Sequence, residues 1–227
     1  MGAPFGSHAR GSRVQVGFNF REKQITEMRR KTRAELNKLL QERNEYPDRA
    51  TQIDAEIRAT FGETYAVMVM DMSGFSRLTI KHGIIHFLAM IHRMNQIAMP
   101  TVEEHDGAII KFEADNAFAI FPEVEHAVDA CVDIIKRLEA ANTMLPNELD
   151  MHGKFGIGYG EVLIVQDEDL YGAEVNLASK LGEDLASRNE ILLTEAAFKL
   201  VDASRHQYEE MAMSISGLHL VVHKVKI

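Results

Sequence analysis

Residues 107–121 read GAIIKFEADNAFAIF. Two apolar runs flank a short polar interruption, a pattern that predicts two strands joined by a tight turn holding Asp115. Pro122 ends the second strand, because proline cannot donate to a ladder. Upstream, residues 64–72 read TYAVMVMDM, with Tyr65, Val67 and Val69 on one face and Ala66, Met68 and Met70 on the other. Both faces are apolar, so this is an interior strand. Between the two, residues 74–104 place Ile84, Phe87, Leu88, Ile91 and Met94 at helical spacing to face a core. Downstream, residues 125–144 form an amphipathic helix through Ala127, Ala130, Cys131, Ile134, Ile135 and Leu138. HGKFGIGYGEVLIVQD, residues 152–167, reads as a second strand pair with glycines at its bend. A helix over 171–186, a strand over 190–194 and a further strand within 214–227 complete the chain. The order strand, helix, strand, strand, helix, strand is that of an α+β, ferredoxin-like βαββαβ core with added strands and helices, an antiparallel sheet with helices on one face.

This core, residues 64–227, follows an N-terminal helical segment, residues 13–63. Over 21–43, Ile25, Met28, Thr32, Leu36, Leu39 and Leu40 recur at spacings of three and four, giving one apolar stripe on a polar helix. Pro47 breaks it, and Ile53, Ile57 and Phe61 mark a second short helix. The narrow stripe fits a helix lying on its own domain or one pairing with its copy in a dimer. Residues 1–12, MGAPFGSHARGS, read as a vector-derived leader outside the fold.

The chain has 227 residues, 46% of them hydrophobic, enough to bury a core. Lys and Arg number 25 against 34 Asp and Glu, a net charge of −9. That excludes a general nucleic-acid binder, which needs a basic face to displace counterions, but not a small phosphate site. The single cysteine, Cys131, excludes a disulfide within the chain and reads as a buried thiol. No apolar run approaches the ~20 residues that span a bilayer. The expectation is a soluble, cytoplasmic protein. His82 and His86 are spaced i, i+4 but form no metal-ligand pattern.

Two carboxylates stand out. Asp71 ends the first strand, and Asp115 lies in the turn before the third. A ferredoxin-like sheet sets the first strand beside the third, which brings the two together. Paired carboxylates at a sheet end suit Mg²⁺, which is held by one or two carboxylates plus substrate phosphates. The glycine turn after Asp71 offers backbone N–H groups to phosphate oxygens.

Three segments then carry a resemblance. DMSGF, residues 71–75, resembles the metal-binding segment of class III nucleotide cyclases, the adenylate and guanylate cyclase catalytic domains. KFEADNAFAIF, residues 111–121, resembles that family's hairpin. DLYGAEVNLASKL, residues 169–181, resembles its third segment. Asp71 and Asp115 are 44 positions apart, Asp169 precedes Asn176 by seven, and Lys180 follows Asn176 by four. The resemblance covers residues 64–227 and is most like an adenylate cyclase.

The resemblance implies conversion of ATP to 3′,5′-cyclic AMP and pyrophosphate. Two Mg²⁺ or Mn²⁺ ions per active site would be held by Asp71, Asp115 and the backbone carbonyl of Met72, with Gly74 and Phe75 against the substrate. Lys111 and Asp169 would read the purine. A Lys donor and an Asp acceptor complement adenine, whereas guanine sites in this family usually carry Glu and a small residue there. Asn176 would orient the ribose, and Lys180 would face the phosphates. The sites would be shared across a head-to-tail homodimer, with Asp71 and Asp115 from one chain and Lys111, Asp169, Asn176 and Lys180 from the other. The N-terminal helices would then have a reason to dimerise. No sensor module is evident in the residues before 64, which leaves as sources of input a separate sensor or regulatory partner, bicarbonate or a small molecule at the dimer interface, or a sensor domain outside this sequence.

Three departures from the pattern bear on activity. Lys180 stands where the family usually has Arg, which keeps the charge and loses the bidentate fork, a loss of about 1–3 kcal/mol of transition-state stabilisation. Ala114 stands where the family has Gly before the second Asp, harmless only if its φ is negative. The C-terminal SISGLHLVVHKV lacks the Lys that some members place after the Gly, leaving Lys224 as a substitute. The alternatives are a nucleotide-binding pseudocyclase acting as a regulatory dimer, a cyclase for GTP or a pyrimidine nucleotide, and an unrelated ferredoxin-like interaction domain.

Overall fold

The computed structural model describes residues 31–73, 80, 83–146, 149–166, 168–215 and 217–227. The chain divides after Phe61 into two compact units.

In the first unit, α1 (Arg33–Glu45) starts at Thr32, whose Oγ1 accepts the Glu35 N–H at 3.3 Å. Thr32 is therefore a cap and not a member of the apolar stripe, as serine-like hydroxyls favour the N-cap over the helix interior. The part of the expected helix before residue 31 lies outside the described residues. A 3₁₀ turn at Pro47–Arg49 leads into α2 (Ala50–Phe61). Leu36, Leu39, Ile53, Ile57 and Phe61 are buried, while Leu40 is exposed.

The second unit begins with β1 (Gly62–Met72), followed by α3 (Ile84–Glu104), β2 (Ala108–Glu113), β3 (Asn116–Phe121), α4 (Val124–Asn142), β4 (Gly153–Val165), β5 (Asp169–Tyr171), α5 (Ala173–Ser179), a π-helical turn (Lys180–Leu185), β6 (Ile191–Thr194), α6 (Glu195–Phe198), β7 (Gln207–Ile215) and β8 (Leu218–Lys226). The sheet order is β2-β3-β1-β4-β6-β8-β7, with β5 paired to the far end of β4. Only the β4–β6 pairing is parallel among the described ladders.

β1 is central, as its two apolar faces require. Ala66, Met68, Met70 and Met72 join Phe87, Met94, Ile134, Leu138 and Phe155 beneath α3 and α4. Val67 and Val69 join Phe118, Val162, Val175 and Ala178 on the opposite face, under α5, so helices cover both faces of the sheet and not one as expected; the bare glycines of β4 are what let α5 seat there. Each fully buried Met or Val side chain contributes about 1.5–3 kcal/mol.

Several local expectations differ from the structure. Residues 153–165 are one continuous strand, not a pair. The glycines mark where α5 presses on the sheet: a Cβ at Gly156 would lie 2.0 Å from Ala178 O, and one at Gly158 would lie 2.7 Å from Glu174 O. Helix 171–186 is shorter at its start, because Tyr171 belongs to β5, and its second half widens to a π-turn. In α3 the buried stripe is Phe87, Met90, Met94, Ala98 and Val102, so Ile84 and Leu88 lie exposed on its flank. β7 is a separate strand beyond the single one expected within 214–227. Its Glu209 and Glu210 disguise it, since it sits at the sheet edge where polar residues are tolerated. Cys131 is buried, as expected. Among the described residues no helix is long and apolar enough to cross a membrane.

Candidate active site

On β1, Val67, Val69 and Asp71 alternate onto the face covered by α5. Asp71 lies across from Asn116 on β3 and from Lys154 on β4. Asp115, in the turn directly before Asn116, is thereby brought to Asp71, as the strand order predicted. Burial pushes the Asp71 carboxyl above its ordinary pKa; Lys154 pulls it back, and the neighbouring Asp115 pushes it up again. Glu183 is raised too, by burial first and then by Asp71 and Asp184. The Lys154 ammonium pairs with Asp71 Oδ2 and donates to Glu183 O at 2.7 Å. Met72 is the last residue of β1, next to Asp71. Gly74 and Phe75 lie outside the described residues.

This corner fits a divalent cation. Two carboxylates meet at a strand end, and Asn116 Oδ1, opposite Asp71, is buried without a hydrogen-bond partner. A hard cation uses oxygen ligands of this kind. Among the described residues no group of three or more His, Cys, Asp and Glu side chains is arranged to hold a metal; the oxygens this corner offers are those of the two aspartates, Asn116 Oδ1 and the backbone.

The turn has a cost. Ala114 adopts φ 51°, in the left-handed region where a Cβ crowds the following carbonyl by roughly 1–2 kcal/mol.

A second cluster forms at Lys111 and Asp169. Lys111 Nζ lies 3.0 Å from Asp169 Oδ1, donates to Glu113 Oε2 at 2.6 Å, and sits 4.6 Å from the Phe118 ring centroid. Burial works against the ammonium, but Glu113 and Asp169 outweigh it and hold the Lys111 pKa above its ordinary value. The carboxylate is itself oriented: Leu170 N–H donates to Oδ1 at 3.0 Å and the Tyr171 hydroxyl to Oδ2 at 2.8 Å. The structure thus brings together the two residues expected to read the base.

Asn176 is exposed on α5, and Lys180 caps that helix one turn later, its N–H bonding to Asn176 O and Leu177 O. π-turns of this sort are frequent at functional sites. Glu174 locks α5 down: its Oε2 accepts from Thr194 Oγ1 at 2.7 Å and from Tyr159 N–H at 3.2 Å. Lys224, on β8, is paired with Glu190. Lys154, Glu183 and Asn116 carry no signal in the sequence. The ladder register places Lys154 and Asn116 at the carboxylate corner, the π-helical turn brings Glu183 there, and no local motif announces any of them.

No family model matches the chain. It is 26% identical over 156 residues to "Putative adenylate cyclase 3" of Rhizobium meliloti (strain 1021), covering 69% of this chain and 26% of that protein. It is 26% identical over 158 residues to "Serine/threonine-protein kinase pkn2" of Myxococcus xanthus, covering 70% of this chain and 18% of that protein. The chain thus spans about a quarter or less of the curated relatives it matches. Among solved structures, the adenylyl cyclase CyaB from P. aeruginosa superposes with a TM-score of 0.63 at 18% identity, over 73% of this chain and 96% of that one. The guanylyl cyclase Cya2 gives 0.63 at 17% identity, over 72% and 92%. The catalytic core of a rhodopsin-guanylyl cyclase with converted specificity, in complex with ATPalphaS, gives 0.62 at 16% identity, over 73% and 98%. From β1 to its C-terminus, the chain has the fold of the class III adenylate/guanylate cyclase catalytic domain.

Proposed function

We propose that the chain is an adenylate cyclase, converting ATP to 3′,5′-cyclic AMP and pyrophosphate. The observation that carries this reading is the meeting of Asp71 and Asp115 at the end of β1 in a chain that also pairs Lys111 with Asp169. Asp71, Asp115 and the Met72 carbonyl hold two Mg²⁺ or Mn²⁺ ions. When bound, these supply charge stabilisation at phosphorus and acidify the ribose 3′ hydroxyl. Lys111 donates to adenine N1, and Asp169 accepts from the N6 amino group. Asn176 orients the ribose so that its 3′ oxygen lines up with the α-phosphorus, and Lys180 offsets negative charge on the phosphates. Catalysis by these side chains is positioning and electrostatics. The working unit is a head-to-tail homodimer in which Asp71 and Asp115 of one protomer face Lys111, Asp169, Asn176 and Lys180 of a second copy.

GTP is the second nucleotide to test, because guanylyl cyclases are among the solved structures that match. The purified chain is incubated separately with ATP, GTP, CTP and UTP, with Mg²⁺ or Mn²⁺, and products are identified by mass spectrometry, with Asp71→Ala as blank. Cyclic AMP from ATP, absent in the blank, is the expected result. Another cyclic nucleotide overturns the base assignment. Bound ATP without product makes the chain a nucleotide-binding pseudocyclase. Sedimentation tests the dimer, which a fully active monomer would refute.

A further inference from the structure

Lys154 on β4 and Asp71 on β1 are cross-strand partners. Their side chains are only 16% and 13% exposed, against 40% and 54% for the surface pair Arg137–Glu104. The ammonium bridges two elements: it contacts Asp71 Oδ2, and it donates at 2.7 Å to the Glu183 carbonyl in the π-helical turn. Exposed ion pairs contribute little, but a largely buried one is expensive to form and expensive to leave half-made. Lys154 acts on both Asp71 and Glu183, and Asp115 adds a third carboxylate that acts on the same two groups. Its partner oxygen belongs to the same carboxylate to which a divalent cation is assigned above.

An ammonium and a metal ion compete for that carboxylate. We propose that Lys154 is a built-in cation that holds Asp71 in place before the metal arrives, and that loading the site exchanges the ammonium for the divalent ion. This rests on the reading of Asp71 as a metal ligand. The four-carbon stem gives the ammonium freedom to swing aside, and the Glu183 carbonyl remains available to it. The apo carboxylate corner is thus ordered at the expense of metal affinity, and Lys154 acts as a positioning residue through Asp71.

The test uses the full chain without nucleotide. Mn²⁺ binding is followed by electron paramagnetic resonance of the free ion, and thermal midpoints are recorded with and without Mn²⁺. The proteins are wild type, Lys154→Met, Lys154→Gln and Asp71→Asn. Removing the ammonium is expected to tighten Mn²⁺ binding at least tenfold, to lower the midpoint without metal, and to enlarge the rise that Mn²⁺ produces. Lys154→Gln is the fallback should the methionine variant not fold. Affinity equal to or weaker than wild type in the folded variants overturns the exchange. Asp71→Asn separates the two ideas. Loss of Mn²⁺ binding there upholds the metal reading whatever Lys154 does, whereas undiminished binding removes Asp71 as ligand and the exchange with it.

Discussion

Lys111 Nζ and Asp169 Oδ1 lie 3.0 Å apart, although β3 and β1 stand between β2 and β4 in the sheet. The short β5, hung on the end of β4, carries Asp169 back to the edge strand. In the proposed function each of these charged side chains makes one hydrogen bond to the base, worth about 1.5–3 kcal/mol. Lys111→Ala or Asp169→Ala should therefore lower kcat/KM for ATP by roughly 10- to 100-fold. Lys111→Glu with Asp169→Cys should shift the product ratio toward cyclic GMP. An ATP-to-GTP ratio untouched by the double change counts against the base-reading role.

Ala114 pays for its positive φ of 51°. Ala114→Gly removes the crowding and loses some backbone entropy, for a net gain of about 1 kcal/mol. Urea unfolding of the two proteins reads this directly, and a lower midpoint for the glycine variant would contradict it.

Glu183 is raised by burial and by its acidic neighbours. Its charged form is thus disfavoured in the folded state. The resulting destabilisation is absent below the ordinary glutamate range, grows as pH rises toward the raised folded pKa, and is constant above it. Glu183→Gln should melt at the same temperature as wild type in acid and above it at neutral pH, with Mg²⁺ narrowing the gap. Parallel melting curves at all pH values would exclude the repulsion.

Lys180 offers a point charge in place of a fork. Lys180→Arg should raise kcat with ATP about tenfold, with little change in thermal stability. Steady-state product formation checks it; a fall in kcat would mean that the π-turn has no room for the guanidinium.

Legibility in the sequence followed physical range. The alternation of β1 and the hairpin of β2 and β3 are local patterns, and with the helices they disclosed the core and the meeting of Asp71 with Asp115. In β4, Gly156, Gly158 and Gly160 looked like a bend. A glycine chosen for a turn and one chosen to let a helix approach share the same missing Cβ, so only the partner tells them apart. Ile84 and Leu88 carried the right period but flank the buried stripe, a distinction that depends on where the sheet lies. Lys111 and Asp169 became legible through resemblance. Lys154 was not legible, because its importance is a matter of register, and a one-residue slip would have sent it to the other face.

The glycines of β4 have one more consequence. With a Cβ at position 156 due only 2.0 Å from Ala178 O, the seat of α5 is main chain against main chain, and the sheet serves as a datum plane. Asn176 in the middle of α5 and Lys180 just past its end are carried at a height that does not depend on their own identity. Chemistry at those two positions is therefore free to vary while its address stays constant, whereas one methyl group added beneath the helix would relocate both side chains at once.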